Sequence, residues 1–330
     1  MKRLAVLGAG SWGTALAIAL APRFDEIRLW ARDAAKAIAI AEARENATYL
    51  KGFALPGQVT VSHDLEESLA GAELVLSVVP SCYLRGVMRQ AAPFIVPEAP
   101  VVSATKGIEE GTLRRMSELI AETLAGPRRV AVLSGPTFAR EIAAGEPAAI
   151  VIAADDLAVA EKIQHALSTP ALRFYTSLDV VGVETGAALK NVIALGAGIC
   201  SGLGLGSNSV AALVTRGLAE ITRLAIVLGG KERTLSGLAG LGDLVLTSTG
   251  HLSRNRAVGI KLGQGLRLSE ILAQTTMIAE GISTCRAAYE LAARHNVELP
   301  IAEKMYEVLY QDKDPRLAIR ELMERRLTSE

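Results

Sequence analysis

Leu4-Ala5-Val6-Leu7-Gly8-Ala9-Gly10-Ser11-Trp12-Gly13-Thr14 decides how the chain is read. A short apolar run, Leu4 to Leu7, has the character of a buried strand. Gly8, Gly10 and Gly13 then form a GxGxxG, and Ser11 to Ala21 reads as a helix. The glycine pattern alone is weak, but strand before and helix after is the context it requires. Gly8 permits a tight turn, Gly10 lets a pyrophosphate approach the backbone, and Gly13 lets helix and strand pack closely. Free amides at the helix start then face the anion.

The same alternation continues outward. Ile27 to Ala31 is a second strand, and Asp33 is placed to cap a helix through Ala43. Leu74–Val79, Val101–Ala104, Val130–Leu133 and Ala149–Ala153 are further strand-like runs with helical stretches between them. Ser81 is the candidate cap of the helix after Pro80. Alternation of this kind predicts an α/β fold of Rossmann type, a doubly wound, mostly parallel sheet covered on both faces. Near residue 180 the character changes. Val183–Leu195, Val210–Leu228, Leu268–Ala273, Thr284–His295 and Ile301–Tyr310 follow helical spacing, and only Leu244–Leu246 is strand-like. The expected organisation is a dinucleotide-binding domain over 1–180 and an all-helical substrate and catalytic domain over 181–330.

Composition narrows the function. At 330 residues the chain exceeds what one hydrophobic core usually holds. Lys+Arg and Asp+Glu both number 35, so no net basic charge favours a nucleic-acid backbone. Aromatics at 4% offer little for stacking single strands. Cys82, Cys200 and Cys285 are scattered and read as reduced core thiols of a cytoplasmic protein. The four histidines are equally dispersed, and no metal site is expected. Asn191–Thr215 carries no charge over 25 residues but is broken by five glycines. It reads as a buried helix, a Gly-rich loop and another helix, not a membrane span. The apolar helical half allows a homodimer.

Several residues point to chemistry. Nineteen positions after Gly13 stands Arg32, then Asp33. An acid there would serve the ribose hydroxyl of NAD, and an Arg accommodates the 2′-phosphate of NADP. Arg32 favours NADPH and leaves NAD open. Lys106, in Thr105-Lys106-Gly107, ends a strand where open sheets bind ligands, as does the rigid turn Gly135-Pro136-Thr137. Lys190 sits among apolar residues in Gly186–Ile193, a setting in which a lysine can exchange protons near neutrality. Asp243 is the single carboxylate of Gly240–Val245 and needs a partner, for which Lys190 is the candidate. In Ser253-Arg254-Asn255-Arg256, Arg254 has the fork that binds phosphate bidentately. Glu280 could reach ribose hydroxyls.

Together these stretches resemble the bacterial-type NAD(P)-dependent glycerol-3-phosphate dehydrogenases over nearly the whole chain, in the family's order. The resemblance rests on the glycine turn, Ala104–Gly107, Ser134–Ala139, Ala188–Asn191, Gly240–Leu244, Ser253–Arg256 and Ala279–Gly281. It implies reversible reduction of dihydroxyacetone phosphate to sn-glycerol 3-phosphate, feeding phospholipid synthesis. It further implies that Ser11, Trp12, Arg32, Tyr49, Ala139, Ile278 and Glu280 bind the dinucleotide, and that Lys106 touches cofactor and substrate. Gly135, Thr137, Asp243, Ser253 and Asn255 would hold substrate. Arg254 would take its phosphate near the cofactor, and Lys190 would be the proton donor and acceptor. Both ammonium groups, of Lys106 and Lys190, would then meet one ketone. The alternatives are a β-hydroxyacid dehydrogenase of the 6-phosphogluconate or hydroxyisobutyrate type and a dinucleotide sensor without turnover. A sensor would not need Lys106, Lys190 and Asp243 together.

Overall fold

A computed structural model describes residues 1–124, 129–274 and 279–326. Eight strands form one sheet: β1 (Arg3–Leu7), β2 (Glu26–Trp30), β3 (Val59–Ser62), β4 (Leu74–Ser77), β5 (Val101–Ser103), β6 (Val130–Ser134), β7 (Ala148–Ala154) and β8 (Leu172–Ser177). Their order is β3-β2-β1-β4-β5-β6-β7-β8. Every neighbouring pair is parallel except β6 with β7. The order reverses between β1 and β4, and ligands of open α/β sheets bind beyond the carboxyl ends of strands at such a point.

Alternation along each central strand supplies two apolar faces. Leu4, Val6, Leu74 and Leu76 pack into one core with Leu16 and Leu20 of the helix Ser11–Leu20. Ala5, Leu7 and Val75 face the other way, against Leu84 and Met88 of the helix Ser81–Ala91 and Leu119 and Ile120 of the helix Met116–Thr123. Each large side chain so buried contributes on the order of 1.5–3 kcal/mol. The mostly parallel, doubly covered sheet is the one the alternation predicts.

Two strands, β3 and β8, escape the sequence reading, and both are edges of the sheet. Only Val59 of β3 is fully buried, and in β8 Leu172 and Phe174 point in while Arg173 and Tyr175 point out. Half-exposed edges lack the continuous apolar run that marks a central strand. Three other expectations are corrected. Leu244–Leu246 lies in a helix, Asp243–Thr249, which follows directly on a π-helical turn, Leu238–Gly242. Pro80, not Ser81, holds the N-cap position, and Ser81 opens the helix. Cys82 is exposed, because the buried face of its helix is Ser81, Leu84, Val87, Met88 and Ala91.

The chain divides into two compact units, Met1–Lys106 with Arg114–Glu184, and Gly107–Leu113 with Thr185–Glu330. Among the described residues the second unit has helices only. Its core joins Leu189, Val192 and Ile193 of the helix Val180–Gly202 to Ile221 and Leu224 of the helix Ser207–Val227 and to Val258 and Leu262 of the helix Arg254–Gly263. Val180–Gly202 is apolar enough to cross a membrane by composition, yet 94% of its most apolar window is buried within the protein. Its glycines serve a close crossing: a Cβ on Gly198 would lie 2.8 Å from the Cα of Gly259. The helix, the loop and the second helix fall as the Asn191–Thr215 stretch predicts.

Candidate active site

The glycine turn ends β1. Gly8 takes a left-handed φ of 118°, and its N–H donates to the Trp30 carbonyl at 3.0 Å. A Cβ on Gly13 would lie 1.9 Å from the Gly8 carbonyl oxygen, so helix and strand meet as closely as the motif predicts. A Cβ on Gly10 would meet nothing within 4 Å. Gly10 is the N-cap and offers no side chain to the helix amides, so the first turn is left open to an anion. Trp12 is half-buried, and its Nε1 is buried with no hydrogen-bond partner among the described residues. An open notch over a bare helix start fits a pyrophosphate. Asn46, fully buried, secures the turn: its Nδ2 donates to the Ala9 carbonyl at 2.9 Å and to Thr14 Oγ1 at 2.8 Å.

Arg32 and Asp33 follow β2. Asp33 caps the helix Ala34–Ala43, accepting from the Lys36 amide at 2.9 Å. Arg32 is exposed and lies over the ring of Tyr83, 4.4 Å from its centroid. Tyr49 is half-buried, and Lys36 Nζ reaches its hydroxyl at 3.3 Å.

Beyond β5 and β6, Lys106, Gly135 and Thr137 converge. Lys106 Nζ and Thr137 Oγ1 both donate to the Gly135 carbonyl at 3.1 Å. Thr105 Oγ1 donates to the Val79 carbonyl at 2.6 Å, tying this loop to the one after β4. Ala139 opens a short helix and packs on the same core layer as Trp12.

In the second unit Lys190 Nζ donates to Asp243 Oδ1 at 2.5 Å and to Thr247 Oγ1 at 2.6 Å. Thr247 Oγ1 also lies 3.2 Å from Asp243 Oδ1. Lys190 is 4% exposed and Asp243 1%, so the ion pair is withdrawn from bulk water. A charge so buried is tolerable only when paired and hydrogen-bonded. Asn255, also buried, donates to Asn191 Oδ1 at 2.9 Å and accepts from the Gly281 amide at 3.0 Å. Ser253 caps the helix Arg254–Gly263, accepting from the Arg256 amide at 3.2 Å. Arg254 is exposed at the first position of that helix, within the field of the Glu280 carboxylate. Ile278 lies outside the described residues.

The sequence reading therefore pairs Lys190 with Asp243 correctly and groups Lys106 with Gly135 and Thr137. It misses Thr247, although the spacing from Asp243 to Thr247 is one helical turn. It also misses Asn46 and Tyr83, for which no local pattern is available, and gives Asn191 no role although the Ala188–Asn191 stretch stands out.

The first half of the chain, residues 3–160, matches the family model described as the NAD-dependent glycerol-3-phosphate dehydrogenase N-terminus. Residues 179–320 match the C-terminus model of the same family. The chain belongs to the NAD-dependent glycerol-3-phosphate dehydrogenases. A relative from Koribacter versatilis, named glycerol-3-phosphate dehydrogenase [NAD(P)+], is 53% identical over 100% of this chain and 99% of its own length. One of the same name from Citrifermentans bemidjiense is 50% identical over 100% and 99%. The crystal structure of glycerol-3-phosphate dehydrogenase from Coxiella burnetii is 39% identical, covers 98% of this chain and 99% of its own, and superposes with a TM-score of 0.94. Membership of the glycerol-3-phosphate dehydrogenases sets aside the 6-phosphogluconate and hydroxyisobutyrate alternatives.

Proposed function

We propose that the protein is an NAD(P)-dependent sn-glycerol-3-phosphate dehydrogenase, reversibly reducing dihydroxyacetone phosphate to sn-glycerol 3-phosphate. The observation that carries this reading is the buried hydrogen-bonded set of Lys190, Asp243 and Thr247 in a chain of this family. When bound, the reduced dinucleotide supplies the hydride that C2 of the ketone accepts.

Lys190 donates a proton to the C2 oxygen as it takes on negative charge, and recovers it in the reverse direction. Asp243 and Thr247 hold the ammonium in one orientation, so no side-chain search accompanies the transfer. Lys106 lends positive charge to the carbonyl and touches the dinucleotide. Arg254 grips the substrate phosphate through its planar fork, and Gly135, Thr137, Ser253 and Asn255 complete the substrate's hydrogen bonds. Ser253 and Asn255 already serve as cap and cross-brace, so their positions are fixed before substrate arrives.

Gly8, Gly10 and Gly13 shape the pyrophosphate notch. On this reading Ser11, Trp12, Tyr49, Ala139, Arg254 and Glu280 bind the remainder of the dinucleotide. Arg32 favours NADPH over NADH. The scattered positions of Cys82, Cys200 and Cys285 suit a reducing cytoplasm. The product is a phosphoglycerol backbone for phospholipid synthesis, and the apolar helical half allows a homodimer.

Oxidation of NADH and NADPH, followed in parallel with and without dihydroxyacetone phosphate, tests the assignment. Oxidation that depends on the triose phosphate is expected. Its absence with both cofactors would reject the reading.

A further inference from the structure

Two cation–aromatic pairs stand at the carboxyl end of β2 and the start of the helix Ala34–Ala43. Arg32 lies over Tyr83 at 4.4 Å, and Lys36 Nζ lies 5.4 Å from the Tyr49 ring centroid and 3.3 Å from its hydroxyl. Tyr83 comes from a different element, the first turn of the helix Ser81–Ala91, and is 43% exposed. Between the two cations in sequence stands Asp33, whose Oδ1 is engaged by the Lys36 amide. The first turn of the helix carries no acidic residue.

Each feature acts on the same choice. One oxygen of the acid that would accept the hydroxyls of an unphosphorylated ribose is here engaged in a helix cap. A guanidinium lying over an aromatic ring loses rotational freedom, while the N–H groups around its edge still point outward in the plane. That is the arrangement a phosphate oxygen pair meets bidentately. A second cation, Lys36, and the positive end of a ten-residue helix add to the attraction for a dianion. A neutral hydroxyl gains little from any of them.

We propose that Tyr83 and Lys36 are specificity-determining residues for the cofactor. Tyr83 holds the Arg32 guanidinium ready for a ribose 2′-phosphate, and Lys36 supplies a second positive charge. The proposal rests on the reading that Arg32 meets the adenosine ribose.

Calorimetric titration with 2′,5′-ADP and with 5′-ADP isolates the 2′-phosphate, and fluorescence titration with NADPH and NADH repeats the comparison on whole cofactors. The native protein is expected to favour the 2′-phosphorylated member of each pair. Tyr83→Leu should weaken 2′,5′-ADP and NADPH about 2–5-fold, the range of an exposed cation–π contact, and leave 5′-ADP and NADH within about 2-fold. Tyr83→Phe, which keeps the ring face, should restore the preference. Lys36→Gln should weaken the 2′-phosphorylated ligands about 3–10-fold and flatten their salt dependence. Equal weakening of both members of a pair by Tyr83→Leu would make the ring a shared adenine support and overturn the proposal. No change in either would overturn it as well. Arg32→Gln separates the layers: if it leaves 2′,5′-ADP binding intact, the reading beneath the proposal fails on its own account.

Discussion

Lys190 Nζ lies 2.5 Å from Asp243 Oδ1, with both side chains closed to solvent. The two residues are 53 positions apart, and their meeting joins the helix Val180–Gly202 to the helix Asp243–Thr249. Removing one partner leaves the other as an uncompensated buried charge. Asp243→Asn is therefore expected to cost about 3–5 kcal/mol in urea unfolding at neutral pH and to lower kcat severely. The double variant Lys190→Met, Asp243→Asn removes both charges and should regain much of the stability without regaining turnover. A single variant as stable as the native protein would contradict the pairing.

Thr247 contributes a hydrogen bond to the same ammonium at 2.6 Å. Thr247→Val keeps the shape and deletes the acceptor. The expected outcome is a loss of about 1–3 kcal/mol in stability and a fall of roughly tenfold or more in kcat, with NADPH affinity unchanged. Thr247→Ser should restore turnover. A change confined to KM would mean that Thr247 does not act on Lys190 during the reaction.

Asn46 braces the glycine turn through the Ala9 carbonyl. Asn46→Ala leaves that carbonyl and Thr14 Oγ1 without their buried donor. Stability should fall by about 1–3 kcal/mol, and NADH and NADPH should weaken together because the pyrophosphate notch is common to both. Selective loss of one cofactor would place the effect elsewhere.

Glu220 lies on the helix Ser207–Val227 and accepts from the Ile301 amide at 2.7 Å and the Ala302 amide at 3.3 Å. Burial pushes its carboxyl up to about 7 from an ordinary 4.5, against the lowering effect of those two amides. Between these values the native chain holds a proton that the unfolded chain has released. Stability therefore falls as pH rises through that window and levels off above it, by about 3 kcal/mol in all. Glu220→Gln cannot titrate, so its advantage over the native protein should grow between pH 5 and pH 8 in thermal or urea unfolding. Parallel pH profiles for the two proteins would refute the assignment.

What the sequence disclosed follows from how local each signal is. The glycine turn, the alternation along the central strands and the buried setting of Lys190 are properties of short contiguous segments, and each carries its meaning without knowledge of the fold. The Asp243 pairing was legible because a lone carboxylate in an apolar run demands a cation, and only Lys190 offered one in a like setting. β3 and β8 were hidden because sheet edges tolerate polar residues on the open side. Thr247, Asn46 and Tyr83 were hidden for a different reason. Threonine, asparagine and tyrosine are neutral and carry no spacing signal, and their partners lie 57, 37 and 51 residues away. Only the folded chain says which of such residues matters.

On the proposed mechanism Lys190 moves the proton at the C2 oxygen. Its most direct test is the turnover of dihydroxyacetone phosphate by Lys190→Met, measured beside the NADPH dissociation constant of the same folded variant. Cofactor binding is expected within about 3-fold of native, with kcat lower by about 10²–10⁴-fold, the usual contribution of a positioned acid–base group. Near-native turnover in that variant would contradict it.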